Sequence, residues 1–332
     1  MDSRNDIYMQ SGSREHPVVK GHYALLTAPI IEAFDAVTEW IEGNFSGGYV
    51  FGFSRFGKTV FVESWLPALL SEHFEGRLAV FNVSCKYHKA FSEAMFLSEL
   101  LGASEHAYDR GLQKKNNFER LTRYYATAAR NFGGNKVVLI IDEAQDMNDL
   151  HYRTICNIEN ELARLRFKFC TVSIGSHEMS YRHEMAIESG HIHLNGRYLV
   201  RHVRFRGINS LAELAAVLES YDLCTEWPEQ SGISFTRHFF PNAFDDGFRL
   251  STCAELMWAF FSHWAPEKLK PRLEVPMEHI AKAAEYIFRR KTETAISSEG
   301  LREEDVADAI KSTQYSAHMN AIAYSLPGDK EQ

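Results

Sequence analysis

A parallel α/β sheet covered by helices, followed by a helical half, is the architecture this sequence predicts. Three observations carry the prediction. Short apolar runs alternate with helix-period segments as far as Phe205. A glycine-flanked loop joins the first such run to a helix. After Gly207 the strand-like runs stop and only helical periodicity continues.

The elements follow in order. Ala28 to Asn44 carries Ile30, Ile31, Phe34, Val37, Trp40 and Ile41 at helical spacing. Gly47-Gly48 breaks that pattern, and Tyr49-Val50-Phe51 reads as a first, short, buried strand. Lys58 to Phe74 reads as a helix with Val60, Phe61, Trp65 and Leu69 on its apolar side. Leu78 to Val83 reads as a second strand, and Ala90 to Leu101 and Phe118 to Asn131 as helices. Gly133-Gly134-Asn135 is a turn into the clearest strand, Lys136 to Ile141. A helix is expected over Asn148 to Arg166, a fourth strand over Phe167 to Ile174 and a fifth over Tyr198 to Phe205. Ser210 to Tyr221, Phe248 to Trp264, Met277 to Lys291 and Leu301 to Ser312 read as helices. The expected division is a flexible arm over 1–22, an α/β domain over 23–207, a helical lid over 208–313 and a weakly ordered tail over 314–332.

Composition narrows the class. With 45% hydrophobic and 24% charged residues among 332, the chain is a folded protein rather than a disordered one. The longest aliphatic run, Val137 to Ile141, is far short of the roughly 20 residues of a membrane span. Met1 to Asp6 is polar and has no signal-peptide core, so a cytoplasmic protein is expected. The five cysteines (Cys85, Cys156, Cys170, Cys224 and Cys253) are scattered and form no Cys-x-x-Cys pair. Neither a disulfide framework nor a zinc site follows from them. A net charge of -8 excludes a global basic footprint but leaves room for a local one.

Gly52-Phe53-Ser54-Arg55-Phe56-Gly57-Lys58-Thr59 fits G-x-x-x-x-G-K-[ST], after a strand and opening a helix. Glycines at 52 and 57 permit backbone angles and close approaches that a Cβ would block. The loop amides, continuing to Val60, can point at a polyanion while the helix N-terminus adds its dipole field. Lys58 sets a cation against the β- and γ-phosphates, and the Thr59 hydroxyl can join a Mg²⁺ shell. Arg55-Phe56 is bulky where such loops often carry small residues; Arg55 is read as touching phosphate, a neighbouring subunit or solvent.

The strand Val137 to Ile141 delivers Asp142-Glu143-Ala144-Gln145 to its C-terminal edge, where open α/β sheets bind ligands. Asp142 suits Mg²⁺, held through water, and Glu143 suits polarisation of the water that attacks a γ-phosphate. An acid directly after the aspartate is the pattern of hydrolytic NTPases with an extra strand between the two motif strands. That extra strand is the fourth, which ends in Ser173-Ile174-Gly175-Ser176-His177-Glu178. Ser176, with Ser173 as runner-up, is the candidate to orient the water or the γ-phosphate; an ordinary turn serine is the alternative.

Arg197, with Arg201 as second choice, is the candidate arginine finger toward a neighbouring subunit, the alternative being a surface cation. Arg249 could approach the nucleotide from the helical half. His177-Glu178 with His183 has H-E-x-x-x-x-H spacing rather than H-E-x-x-H, and His191 and His193 are two apart, so a metal site is rejected. Between Arg110 and Lys136 seven basic residues, Lys114 and Lys115 among them, face one acid, Glu119, and Lys86 and Lys89 follow the second strand. These lysines are the candidate DNA contacts; a solvated helix face is the other reading.

The loop, the Asp-Glu-Ala-Gln tetrad and the trailing helical half together resemble an AAA+ ATPase. Within that superfamily the tetrad, the Gly175-Ser176-x-Glu178 turn and the Arg197-Tyr198 pair are similar to the TnsC/TniB transposition regulators, especially TnsC of CRISPR-associated transposons. The resemblance covers roughly residues 25–290. It implies ATP-dependent rings or filaments around double-stranded DNA that bridge a target-selection protein, TniQ with Cascade, to the transposase TnsB. By the same resemblance Lys58 and Thr59 bind nucleotide and Mg²⁺, Asp142 and Glu143 act in hydrolysis, and Arg197 acts in trans. The alternatives are a helicase-loader or secretion-type AAA+ ATPase, or a non-hydrolysing nucleotide switch serving as a scaffold.

Overall fold

The computed structural model of the protein describes residues 15–103, 114–181, 195–291, 296–297 and 300–326, with backbone alone at 114–116, 195 and 297. Two units make up the chain. The first holds the described residues of Ile30–Ser54 and Lys58–Phe205; the second holds those of Met1–Pro29, Arg55–Gly57 and Arg206–Gln332.

The first unit is a five-stranded sheet: β1 Gly47–Gly52, β2 Leu78–Ser84, β3 Lys136–Asp142, β4 Lys168–Ser176 and β5 His202–Arg204. All pairs are parallel, in the order β2-β3-β4-β1-β5. As expected from the acid pair, β4 lies between β1 and β3. Register sets Gly52 opposite Ser176, Ile141 opposite Ser173 and Ser84 opposite Asp142. The C-terminal ends of β1, β3 and β4 therefore share one edge, the place where parallel sheets receive ligands.

Burial explains the apolar run. Val137 through Ile141 are each 0% exposed, as a strand covered on both faces requires. Val137, Leu139 and Ile141 share a core with Leu100, Leu121, Tyr125, Ile155 and Leu162. Those partners come from the helices Glu93–Ala103, Lys114–Asn131 and Asp149–Arg164.

The helix Asp149–Arg164 starts at a capping box. The Asn148 side chain accepts from the amides of Leu150 (3.0 Å) and His151 (3.3 Å), and the Asn148 amide donates to His151 Nδ1 (3.1 Å). Asn148→Ala is expected to lower stability by about 1 kcal/mol in urea unfolding. An unchanged midpoint would show that the cap is dispensable.

The structure differs from the sequence expectation at several places. The fifth strand covers only His202–Arg204; Tyr198 sits instead in the π-helical turn Asn195–Leu199. Its hydroxyl donates to Glu159 Oε2 (2.6 Å) and its ring stacks on Tyr152, tertiary contacts that override strand propensity. The expected tail contains the helix Tyr315–Ser325, whose Tyr315, Met319 and Ile322 are buried at i, i+4 and i+7. The helix expected from Phe248 begins at Ala254 after a 3₁₀ turn Leu250–Cys253, where the buried Asp222 carboxylate accepts from the amides of Leu250 (2.8 Å) and Ser251 (3.0 Å). In the expected arm, residues 1–14 lie outside the described residues, while Pro17–Lys20 is a helical turn whose cap, His16, is buried among Trp227, Phe235, His238 and Phe239.

The second unit is helical, with Leu211–Glu219, Ala254–Trp264, Met277–Arg290, Glu303–Ser312 and Tyr315–Ser325 as its longer elements. Buried Asp305 holds Lys291 at 2.6 Å and Arg302 at 3.0 Å within it. Among the described residues no helix is long and apolar enough to cross a membrane.

Candidate active site

The site is built on the shared strand edge of the sheet unit. β1 ends at Gly52, and the helix that follows opens at Lys58. A Cβ on Gly52 would strike the Phe205 carbonyl oxygen, since Phe205 closes in to donate to the Phe51 carbonyl at 2.7 Å. Glycine is thus required there by the neighbouring backbone as well as by any ligand. Lys58 Nζ donates to the carbonyls of Gly52 (2.8 Å) and Phe53 (2.6 Å), folding its cation back over the start of the loop. Burial lowers the Lys58 pKa to about 8, against the opposing pull of Asp142 and Glu143. Ser54 and Thr59 are exposed and Val60 is half-buried.

Asp142 closes β3. Its Oδ1 accepts from the Glu143 amide (2.9 Å), and burial raises its pKa, with Lys58 acting in the opposite direction. Glu143 is exposed and left-handed (φ 54°), a conformation that L side chains adopt at a cost. It leads into the 3₁₀ turn Ala144–Asp146, from which Gln145 Nε2 donates to Glu143 Oε2. At the tip of β4, Ser176 Oγ and His177 Nδ1 are buried and have no hydrogen-bond partner among the described residues. The His177 ring stacks on Phe53 of the loop (4.2 Å between centroids), and burial, then Arg204 and Lys58, lower its pKa. Buried polar atoms without partners at the mouth of a cation-bearing loop mark a place built for a polar ligand.

Lys58, Asp142, Glu143 and Ser176 are therefore brought to one edge. Of the remaining candidates, Arg197 and Arg201 lie elsewhere in the sheet unit. Arg197 sits in the turn Asn195–Leu199, with a side chain 40% exposed, bound to Glu159 Oε2 (3.2 Å) and Cys156 Sγ (3.1 Å). Arg201 stacks on Phe45 at 3.4 Å. In the helical unit, Arg249 donates to the carbonyls of Phe244 (2.8 Å) and Phe248 (2.6 Å) and lies over the Phe244 ring.

The loop tip, Arg55–Gly57, belongs to that same unit. Arg55 is left-handed (φ 67°), its carbonyl accepts from the Glu278 amide (3.1 Å), and its guanidinium pairs with the Glu278 carboxylate (3.3 Å). Phe56 is buried, and Gly57 has a φ of 109°. Lys86 and Lys89 are exposed in the segment after β2, on either side of Tyr87, which is 75% exposed. The side chains of Lys114 and Lys115, together with His183, His191 and His193, lie outside the described residues.

Three groups carried no role in the sequence reading. Gln145 stood inside the acidic tetrad without a function. Glu159 binds Ser46 (2.6 Å), Tyr198 and Arg197 together, yet nothing in a helical sequence singles it out. His177 enters the sequence analysis only as a metal ligand, whereas its aromatic partner, Phe53, lies 124 positions earlier in the chain.

The donor set suits Mg²⁺ in combination with phosphate. Thr59 and Asp142 offer hard oxygens only, and Asp142 keeps Oδ2 beyond the bond that Glu143 makes to Oδ1. Among the described residues no group of three His, Cys, Asp or Glu could hold a metal by itself, so further ligands would be water and substrate oxygens.

A family model described as an AAA domain matches residues 45–180, which contain the loop, the acid pair and the β4 tip. No curated protein matches the sequence. Among solved structures, the chain is similar to the ORC2 protein of Aeropyrum pernix in its ADPNP–ADP complexes, at 13% identity and a TM-score of 0.57, over 95% of this chain and 75% of that one. It is similar to the ORC1 protein of Aeropyrum pernix in complex with DNA, at 14% identity and a TM-score of 0.50, over 93% and 72%. It is also similar to the Cdc6p of Pyrobaculum aerophilum, at 12% identity and a TM-score of 0.51, over 90% and 69%. The fold is the AAA+ P-loop fold: a five-stranded parallel sheet flanked by helices, with a helical C-terminal region.

Proposed function

We propose that this chain is an ATPase that assembles on double-stranded DNA, with hydrolysis controlling the assembly. The observation that carries the enzymatic part is the convergence of Lys58 with Asp142, Glu143 and the unpartnered Ser176 Oγ at the strand edge. Loop amides and Lys58 bind the phosphates, and Thr59 and Asp142 hold Mg²⁺, which when bound neutralises phosphate charge. Glu143 orients a water molecule. The water oxygen bonds to the γ-phosphorus as the bond to the β–γ bridging oxygen breaks. The electron pair leaves with ADP, and the water proton passes to Glu143 and then to solvent. Ser176 steadies the γ-phosphate.

The DNA part rests on the exposed Lys86 and Lys89, with Lys114 and Lys115 as further candidates, and on a structural neighbour seen in complex with DNA. Contacts of lysine to phosphate would be salt-sensitive and indifferent to sequence. The motif resemblance to TnsC/TniB extends this reading to transposition: oligomers of the chain would link a target-selection protein, TniQ with Cascade, to the transposase TnsB.

ATP held by one subunit would be completed by Arg197 of the next, which exchanges its Glu159 partner for phosphate oxygens. The test is imaging and sedimentation of the protein with DNA and a non-hydrolysable ATP analogue. DNA-threaded rings or filaments are expected, and monomers under those conditions would refute assembly. Arg197→Ala should raise the concentration for half-maximal assembly by about tenfold, equivalent to about 1.4 kcal/mol. Assembly equal to wild type would remove Arg197 from the subunit contact.

A further inference from the structure

We infer that Gln145 is a positioning residue that fixes the Glu143 carboxylate and ties its orientation to the tip of β4. This rests on the reading of Glu143 as the group that activates water.

The side-chain amide of Gln145 makes two contacts. One end meets the Ser176 N–H at 2.9 Å. An N–H is a donor, so the atom facing it must be the carbonyl oxygen, Oε1. That leaves Nε2, a donor only, pointing at Glu143 Oε2, to which it is bonded. The two contacts select one orientation of the amide, and that orientation presents a hydrogen to the carboxylate. A flipped amide would put its oxygen against the Glu143 carboxylate and its NH₂ group against the Ser176 N–H, so both bonds would be lost.

The seat is shaped for this side chain. A Cβ on Gly175 would stand 2.7 Å from Gln145 Oε1 and 3.1 Å from the Gln145 amide nitrogen, and would also strike the Met179 sulfur. Glycine at 175 has an ordinary backbone in β4, so its small size serves the room it leaves for Gln145 rather than a turn. Glu143 itself is left-handed and exposed, and a glutamate on such a turn would sample several rotamers without a bond to hold it. Gln145 engages Oε2 and leaves Oε1 for water. Because Ser176 follows Gly175 and carries the unpartnered hydroxyl, a ligand that moves the β4 tip moves the amide, and with it the carboxylate.

The test uses the full chain with Mg²⁺ and ATP. Gln145→Glu keeps an acceptor for the Ser176 amide but removes the donor to Glu143; Gln145→Met keeps the length and removes both bonds. For each, kcat is expected to fall about 10- to 100-fold, the loss typical of a reacting group misplaced by about 1 Å, while KM and ATP affinity change less than about threefold. Gly175→Ala should lower kcat by a similar factor. Combined with Gln145→Glu, it should add little to either change alone, because both act on one bond. Unaltered kcat in the two Gln145 variants, beside an active wild type, would overturn the inference. So would a fall in kcat matched by loss of ATP affinity, which is what a merely structural role produces. Wild-type protein that binds ATP and releases no phosphate would overturn the ATPase reading instead.

Discussion

Glu143→Gln is expected to bind ATP as wild type does and to release phosphate about 100- to 1000-fold more slowly, within the range that a positioned general base contributes. The substitution preserves volume and leaves an amide oxygen able to accept from Gln145 Nε2, so the turn at residue 143 and the bracket around it persist. It removes only the basic oxygen that takes the proton from water. Lys58, Thr59 and Asp142, which meet the phosphates and Mg²⁺, are untouched, so affinity and kcat should separate cleanly. Steady-state phosphate release beside equilibrium ATP binding makes the comparison, with and without DNA. Equal turnover in the variant would mean that Glu143 is not the base, whereas ATP binding with no phosphate release from either protein would favour the nucleotide-switch scaffold.

The sheet and the phosphate loop were legible because their signals are local. Val137 to Ile141 is apolar at every position, and only a strand buried on both faces asks for that. The loop has its glycines, lysine and threonine in one octapeptide, flanked by a strand and a helix. Even the insertion of β4 between β1 and β3 followed from the acid after Asp142.

What escaped the sequence reading depends on groups far apart in the chain. Tyr198 is a good strand former, yet Glu159 and Tyr152 hold it in a π-helical turn. The sequence leaves Arg55 a choice of phosphate, a neighbouring subunit or solvent, whereas Glu278, 223 positions onward, engages both its carbonyl and its guanidinium. The helix Tyr315–Ser325 was overlooked because its three buried side chains are diluted by serine, alanine and asparagine. Gln145 was visible as a letter of the tetrad, but its partner Ser176 is 31 positions away, and no spacing rule joins them.

Lys58→Ala is expected to weaken ATP binding by about 100-fold, near the upper end of what one charge-assisted hydrogen bond contributes, about 1.5–3 kcal/mol. The size follows from the lysine's surroundings. Its ammonium is largely withdrawn from water and held by the Gly52 and Phe53 carbonyls, and burial brings its pKa down to about 8. Phosphate favours the charged form, so the bound-state pKa lies above that value. Below pH 8 the lysine is protonated in both states, and its contribution to affinity is constant. Above pH 8 a proton must be taken up on binding, and affinity should fall by up to about tenfold per pH unit. The stability of the ligand-free protein should move the opposite way. The unfolded chain keeps the ordinary value of 10.5, so between about 8 and 10.5 it binds more protons than the folded chain, and stability contributed by this group rises with pH. Calorimetry in buffers of different ionisation enthalpy reads the proton uptake directly. Lys58→Arg, charged throughout, should abolish the slope. Affinity that stays level from pH 7 to 9.5 in the wild type would show that Lys58 is not the cation meeting the phosphates.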